Sequence, residues 1–215
     1  MDGLRALAYA WQHLQSEAPD LPAIAVAAGL SHSQDVITDA VSFAERFRYP
    51  RLKDLDDVAA RAALTAPATS AGVDWHDSAL ASVLNEARGY PYFIQLLGDE
   101  VWKAAGYPDA GSSLGDDDVG GGLEGYHEAQ QDFFRARWMK ATDAEIRMLV
   151  AMASLGEADL RRRDIASQMG RTTNEISMVR RSLMDKGLIQ STGFGHLSFT
   201  APGFADFVRT EADSL

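Results

Sequence analysis

The sequence predicts a mainly α protein, and three observations predict it. Apolar residues recur at helical spacing in one segment after another from Gly3 to Arg209. Proline and glycine fall where helices start or stop. Only one strong hairpin signal interrupts the pattern, the Gly193-Phe194-Gly195 turn between Leu188-Ile189-Gln190 and His196-Leu197-Ser198-Phe199-Thr200.

In chain order, Gly3 to Ala18 is an amphipathic helix, with Leu4, Leu7, Trp11 and Leu14 on one face and Pro19 and Pro22 beyond it. Ala23 to Ala28 is wholly apolar and closed by Gly29, which reads as a strand buried on both faces of a parallel sheet. No second strand is predicted near it, and a lone strand leaves its amides and carbonyls unpaired. Met1 to about Leu52 therefore reads as the tail of an α/β unit whose earlier strands lie outside this sequence.

Asp54 or Asp56 caps a helix with Leu55, Val58, Ala59, Ala62 and Ala63 inward, ended by Pro67. Asp74 or Asp77 caps the next, striped by Leu80, Val83, Leu84 and Ala87 and ended by Gly89. Tyr90-Pro91 opens a third, with Phe93, Ile94, Leu97, Val101 and Trp102 inward. Gly106 to Gly125, rich in Gly, Ser and Asp, reads as a loop or linker. Its Asp116-Asp117-Asp118 lacks the alternating acids and distal Glu of a calcium loop, so no metal is expected. Leu123 to Met139 returns to helix, with Phe133, Phe134 and Trp138 as packing residues.

The tail is the most informative stretch. Thr142 and Glu145 form a capping box, ahead of Ile146, Leu149, Val150 and Ala153 on one face. Arg161 to Gly170 gives a short second helix closed by glycine. A third helix, capped by Thr173 or Asn174, runs to Gly187; the hairpin and a last helix follow. Helix, helix, helix, hairpin, helix is the order of a winged helix-turn-helix, whose third helix enters a DNA groove.

Composition narrows the function. Apolar residues make up 46% of the chain, enough for a sizeable core, and there is no cysteine, which excludes a disulfide framework and a zinc finger. No apolar run approaches the ~20 residues that span a bilayer, and the N-terminus lacks a secretory pattern. A cytoplasmic protein with no membrane partner is expected. The net charge of −11 is uneven: residues 1–132 hold 8 basic and 21 acidic groups, and residues 133–215 hold 12 and 10. The split supports a boundary near residue 130. It leaves few cations for phosphate, so the basic residues must share one face to matter.

The order of these parts resembles the C-terminal half of an AAA-type P-loop ATPase of the STAND and origin-recognition-like groups. IAVAAGL resembles a late core strand, SFAERF the Arg-bearing segment between core and lid, and GYPYFIQLLG (Gly89 to Gly98) the lid motif. FRARWMKATDAE, MVRRSLMDKGLIQ and LSFTAPGFADFV are similar to the winged-helix tail. The resemblance implies four parts: residues 1–52 as the remnant of the P-loop core, 53–106 as the helical lid, 107–125 as a linker and 126–215 as the winged-helix domain. It implies ATP and magnesium for the full-length relative, with Arg46, Gly89, Tyr90 and Pro91 near the nucleotide. No G-x-x-x-x-G-K-[ST] occurs, nor an apolar run followed by Asp-Glu. This chain alone is therefore expected to hold no cofactor and not to hydrolyse ATP; its P-loop core is expected in the same full-length protein.

Each candidate residue has a plainer alternative. Arg46 is a charge sensor toward a γ-phosphate or a surface partner of Glu45 or Asp54. Pro91 lies near the nucleotide or simply starts its helix. On the tail, Arg161, Arg162, Arg163 and Arg171 are candidate phosphate clamps. Asn174, Ser177, Arg180 and Arg181 lie on or beside the outward face of the third helix, where Asn and Arg suit base edges, and Lys186 at the helix end is a further nucleic-acid-binding candidate. The alternative is an ordinary solvated basic face beside Glu175 and Asp185. Duplex DNA is thus one expected partner. The alternative is that the winged helix serves as a protein–protein interaction or self-association module regulating the ATPase core, and a second copy could also pair with the open strand at Ala23 to Ala28. The histidines lack metal-ligand spacing, and no Gly-x-Ser-x-Gly is present.

Overall fold

The computed structural model describes residues 2–30, 33–50 and 52–214, and it is mainly helical. A small N-terminal unit comes first. α1 (Asp2–Glu17) stops before Pro19, α2 (Ser33–Ala40) follows, and a 3-10 turn spans Ala44–Arg46. Ala8, Ala40 and Val41 form their own small cluster, with Leu4, Phe43 and Phe47 packed against it. Arg5 Nε ties the two helices by donating to the Ala40 carbonyl at 3.0 Å.

The strand expected at Ala23 to Ala28 is not formed. The segment is irregular and exposed, with Ile24 and Val26 at 86% and 87% of full accessibility. An apolar run becomes a strand only where neighbours complete its ladder and cover its faces. Among the described residues the two sheets lie elsewhere and leave it without a partner.

The helical bundle is built from α3 (Asp57–Ser70), α4 (Asp77–Ala87), α5 (Pro91–Ala104) and α6 (Asp116–Trp138). Asp56 is the cap of α3, accepting from the Ala59 amide at 2.8 Å. Pro67 does not end α3 but sits inside it. Proline lacks the N–H that would reach the Ala63 carbonyl, four residues back. Gln95 Nε2, from α5, reaches that carbonyl at 3.4 Å. β1 (Asp74–Trp75) and β2 (Ser113–Leu114) pair in parallel and hold the start of α4 beside the start of α6.

Residues 116–125, expected as loop, are the first turns of α6. Asp116, Asp117 and Asp118 occupy its N-terminal turn, where carboxylates complement the helix dipole. Asp118 Oδ2 accepts from the Gly115 amide at 2.8 Å. The glycines serve close packing: a Cβ on Gly122 would lie 2.8 Å from the Val101 amide nitrogen, so α5 and α6 approach backbone to backbone there. Tertiary contact overrides glycine's poor helix propensity.

The C-terminal part contains α7 (Asp143–Leu155), β3 (Leu160–Arg161), α8 (Arg162–Gln168), α9 (Ser177–Asp185), β4 (Ile189–Gly193), β5 (His196–Phe199) and α10 (Phe204–Ala212). β4 and β5 form the expected hairpin. β3, which the sequence did not announce, adds to β5 to give the antiparallel order β3-β5-β4. α9 begins later than expected, because Thr172 and not Thr173 or Asn174 makes the reciprocal bonds with Glu175, and a turn intervenes.

One continuous hydrophobic core runs from Ala60 of α3 to Val208 of α10. Phe134 of α6 meets Phe204 and Phe207 of α10, with ring centroids 5.4 and 5.6 Å apart. On the surface above, Arg88 Nη1 lies 2.9 Å from Glu157 Oε2, and the Gly203 amide donates to the same carboxylate. No helix among the described residues is long and apolar enough to cross a membrane.

Candidate nucleic-acid interface

α9 is held by its apolar side. Leu183, with Ile176 just before the helix, is buried in the core, and Val179 and Met184 pack against it. A polar clamp fixes its far end. Glu145, 2% exposed on α7, accepts from Ser182 Oγ at 2.6 Å and from Lys186 Nζ at 2.6 Å, and from the Thr142 amide at 2.6 Å through the capping box. Burial alone would raise the Glu145 pKa; the bonds from Lys186, Ser182 and Thr142 outweigh it and hold the carboxyl down at about 2.

With those contacts made inward, Met178 and Arg181 face solvent, and Arg180 is half buried at the border. Arg180 lies near Arg162, the first residue of α8, and near Arg181. Its guanidinium pKa is lowered by burial and by those two neighbouring cations. Arg180 Nε is buried without a hydrogen-bond partner. The Arg162 amide donates to the Gly195 carbonyl at 2.8 Å, so the start of α8, the face of α9 and the β4–β5 turn converge. Crowded, partly desolvated guanidiniums are unfavourable until an anion joins them.

The other tail candidates divide. Arg161 is exposed on β3, in register with His196. Arg163 lies 3.3 Å from Asp164, and Arg171 lies 3.4 Å from Glu175. The Glu175 carboxyl is held below its usual range chiefly by the Thr172 amide. Asn174 is exposed in the turn before α9, and Ser177 Oγ donates to its carbonyl at 2.6 Å. Lys186, a nucleic-acid-binding candidate by sequence, is turned to Glu145 and to the Lys140 carbonyl. His196 Nδ1 lies 2.8 Å from Asp159 Oδ1 beside the hairpin.

The residues placed near a nucleotide by resemblance occupy two different clusters. Gly89, Tyr90 and Pro91 form the sharp turn between α4 and α5. Gly89, at φ +75°, accepts from the Leu55 amide at 2.8 Å, and a Cβ there would strike the Leu55 carbonyl. Tyr90 packs against Phe93 and Phe133, and burial raises its hydroxyl pKa. Arg46 is exposed in the N-terminal unit, whose hydrophobic cluster is separate from the core that holds Tyr90. Sequence reading missed the neighbours of Tyr90. Tyr92 stacks on Phe133 with centroids 5.0 Å apart, and the Arg137 guanidinium lies 3.3 Å from that ring's centre. The i, i+4 spacing of Phe133 and Arg137 was the available signal.

Residues 131–208 match a family described as a domain of unknown function, DUF8462. The match begins inside α6 and ends inside α10, so it takes in the whole arginine face together with the last turns of α6. No curated protein matches the chain.

Proposed function

We propose that α7 to α10 with the β3-β5-β4 sheet form a winged helix that binds duplex DNA, with α9 as its recognition helix and the β4–β5 hairpin as its wing. The observation that carries this reading is the convergence of Arg162, Arg180 and Arg181, with the Arg180 Nε unpartnered. A guanidinium fork is suited to phosphate oxygens, and an anion there removes the mutual repulsion. In this reading Asn174 and Arg181, both exposed, read base edges.

In the same proposal α3 to α6 are the lid of an AAA-type, ATP-binding switch of the cytoplasm, with the winged helix as its effector. The Gly89-Tyr90-Pro91 turn at the head of α5, beside the Arg137 and Tyr92 cluster, supports a lid that meets a nucleotide held by a P-loop core. Salt-dependent binding of the chain to heparin and to duplex DNA tests the DNA reading. Retention at low salt, lost in the Arg180→Ala/Arg181→Ala double variant, is expected; no retention at low salt overturns it.

A second reading rests on a different observation. Ile24 and Val26 are exposed on a segment without a strand partner among the described residues. Such a segment suits a protein contact, including a second copy of this chain, by strand addition. Light scattering after size exclusion is expected to show concentration-dependent mass. A monomer at every concentration removes this reading.

A further inference from the structure

The β4–β5 turn presents an aromatic ring where a basic side chain would suit phosphate. Phe194 is fully exposed, and it lies between Gly193 and Gly195. A Cβ on either glycine would meet no atom within 4 Å, so the tip is open on both sides. Gly195, at φ +76°, fixes the turn, and Gly193 pairs with His196 across its base. The tip is anchored to the arginine face, because the Arg162 amide bonds to the Gly195 carbonyl. An exposed ring thus projects from the turn whose backbone is bonded to Arg162, the residue beside Arg180.

We infer that Phe194 is a base-stacking side chain, and that the preferred ligand is duplex DNA carrying an unpaired base, not intact duplex. This rests on the nucleic-acid reading above. A ring stacked on a base contributes about 1–3 kcal/mol. Driving an apolar wedge into intact duplex first costs a few kcal/mol per unstacked step. Arg161, Arg162, Arg180 and Arg181 together neutralise only about four phosphates, too few to carry that cost easily. A base already out of the stack removes the cost and keeps the gain. On the two strands of the hairpin itself, Ser191, Thr192 and the Asp159-bonded His196 are not Lys or Arg; the cation at its base is Arg161, across from His196 on β3.

The test is fluorescence anisotropy of the full chain at low salt with two labelled duplexes of one sequence, one fully paired and one with a single unpaired purine. The unpaired-base duplex is expected to bind about tenfold more tightly, from the magnitude of base–aromatic stacking. Phe194→Ala is expected to abolish that preference, so that the two duplexes bind alike, while Phe194→Trp retains it. If the chain binds duplex with no such preference, or Phe194→Ala keeps it, this inference fails and the interface stands. If the chain binds neither duplex, both fail together.

Discussion

Lys186 Nζ stands 2.6 Å from Glu145 Oε2, and that pair ties the end of α9 to the start of α7. Glu145 is buried and Lys186 is two-thirds covered, so the contact orients the helix that carries Arg180 and Arg181. Its folded-state carboxyl titrates near 2 against an ordinary value of 4.5. A depressed carboxylate contributes stability that is complete above about pH 4.5 and lost as pH falls toward about 2. The gap corresponds to roughly 3 kcal/mol. Glu145→Gln is expected to lower stability at pH 7 by about 2–3 kcal/mol and to flatten the acid limb in that window. Urea unfolding of both proteins at several pH values measures it, and an unchanged acid limb would refute it.

The glycines of α6 make a contrasting pair. Gly122→Ala pushes a methyl against the α5 backbone, and is expected to destabilise by about 1–3 kcal/mol. Gly120→Ala enters open space on the same helix and is expected to stabilise by about 0.5–1 kcal/mol. Thermal unfolding of the two variants should move in opposite directions. Movement in the same direction contradicts the packing role.

Pro67 and Gln95 should be energetically coupled. Gln95→Ala withdraws the donor that reaches the free Ala63 carbonyl. Its cost is expected to be about 0.5–1 kcal/mol. In a Pro67→Ala background the main-chain N–H at 67 supplies that donor, so the cost should shrink toward zero. A double-mutant cycle reads the difference. Additive effects would show that Gln95 does something else.

Proteolysis should respect the division between the small N-terminal cluster and the main core. Thermolysin at low dose is expected to cut first among Leu21, Ile24, Val26 and Leu30, all exposed, before any site from Ala60 to Val208. Mass spectrometry of the early fragments checks the order. A first cut within α3 to α10 would oppose it.

Local signals carried much of the architecture. The Thr142–Glu145 capping box, Pro91 at the head of α5 and the glycine turn at 193–195 are short-range chemistry, and each appears where the sequence places it. Long-range partners were illegible. Nothing near Gly120 to Gly122 announces that α5 will pack there, so a glycine-rich stretch looked like loop. The run at Ala23 to Ala28 looked like strand because composition reports burial and not the neighbour that provides it. Among the candidate site residues, charge and helix position marked Arg162, Arg180 and Arg181. Lys186 carried the same marks and points to Glu145, which only the fold reveals.

α6 spans 23 residues, about 34 Å at the rise of an α-helix, and it belongs to both halves of the main core. Its Tyr126 meets Phe93 of α5, and its Phe134 meets Phe204 and Phe207 of α10, so a single rod is packed at both ends. Phe93 of α5 and Phe207 of α10 both rest on Phe134, so loss of that one ring would open a void shared by the two ends.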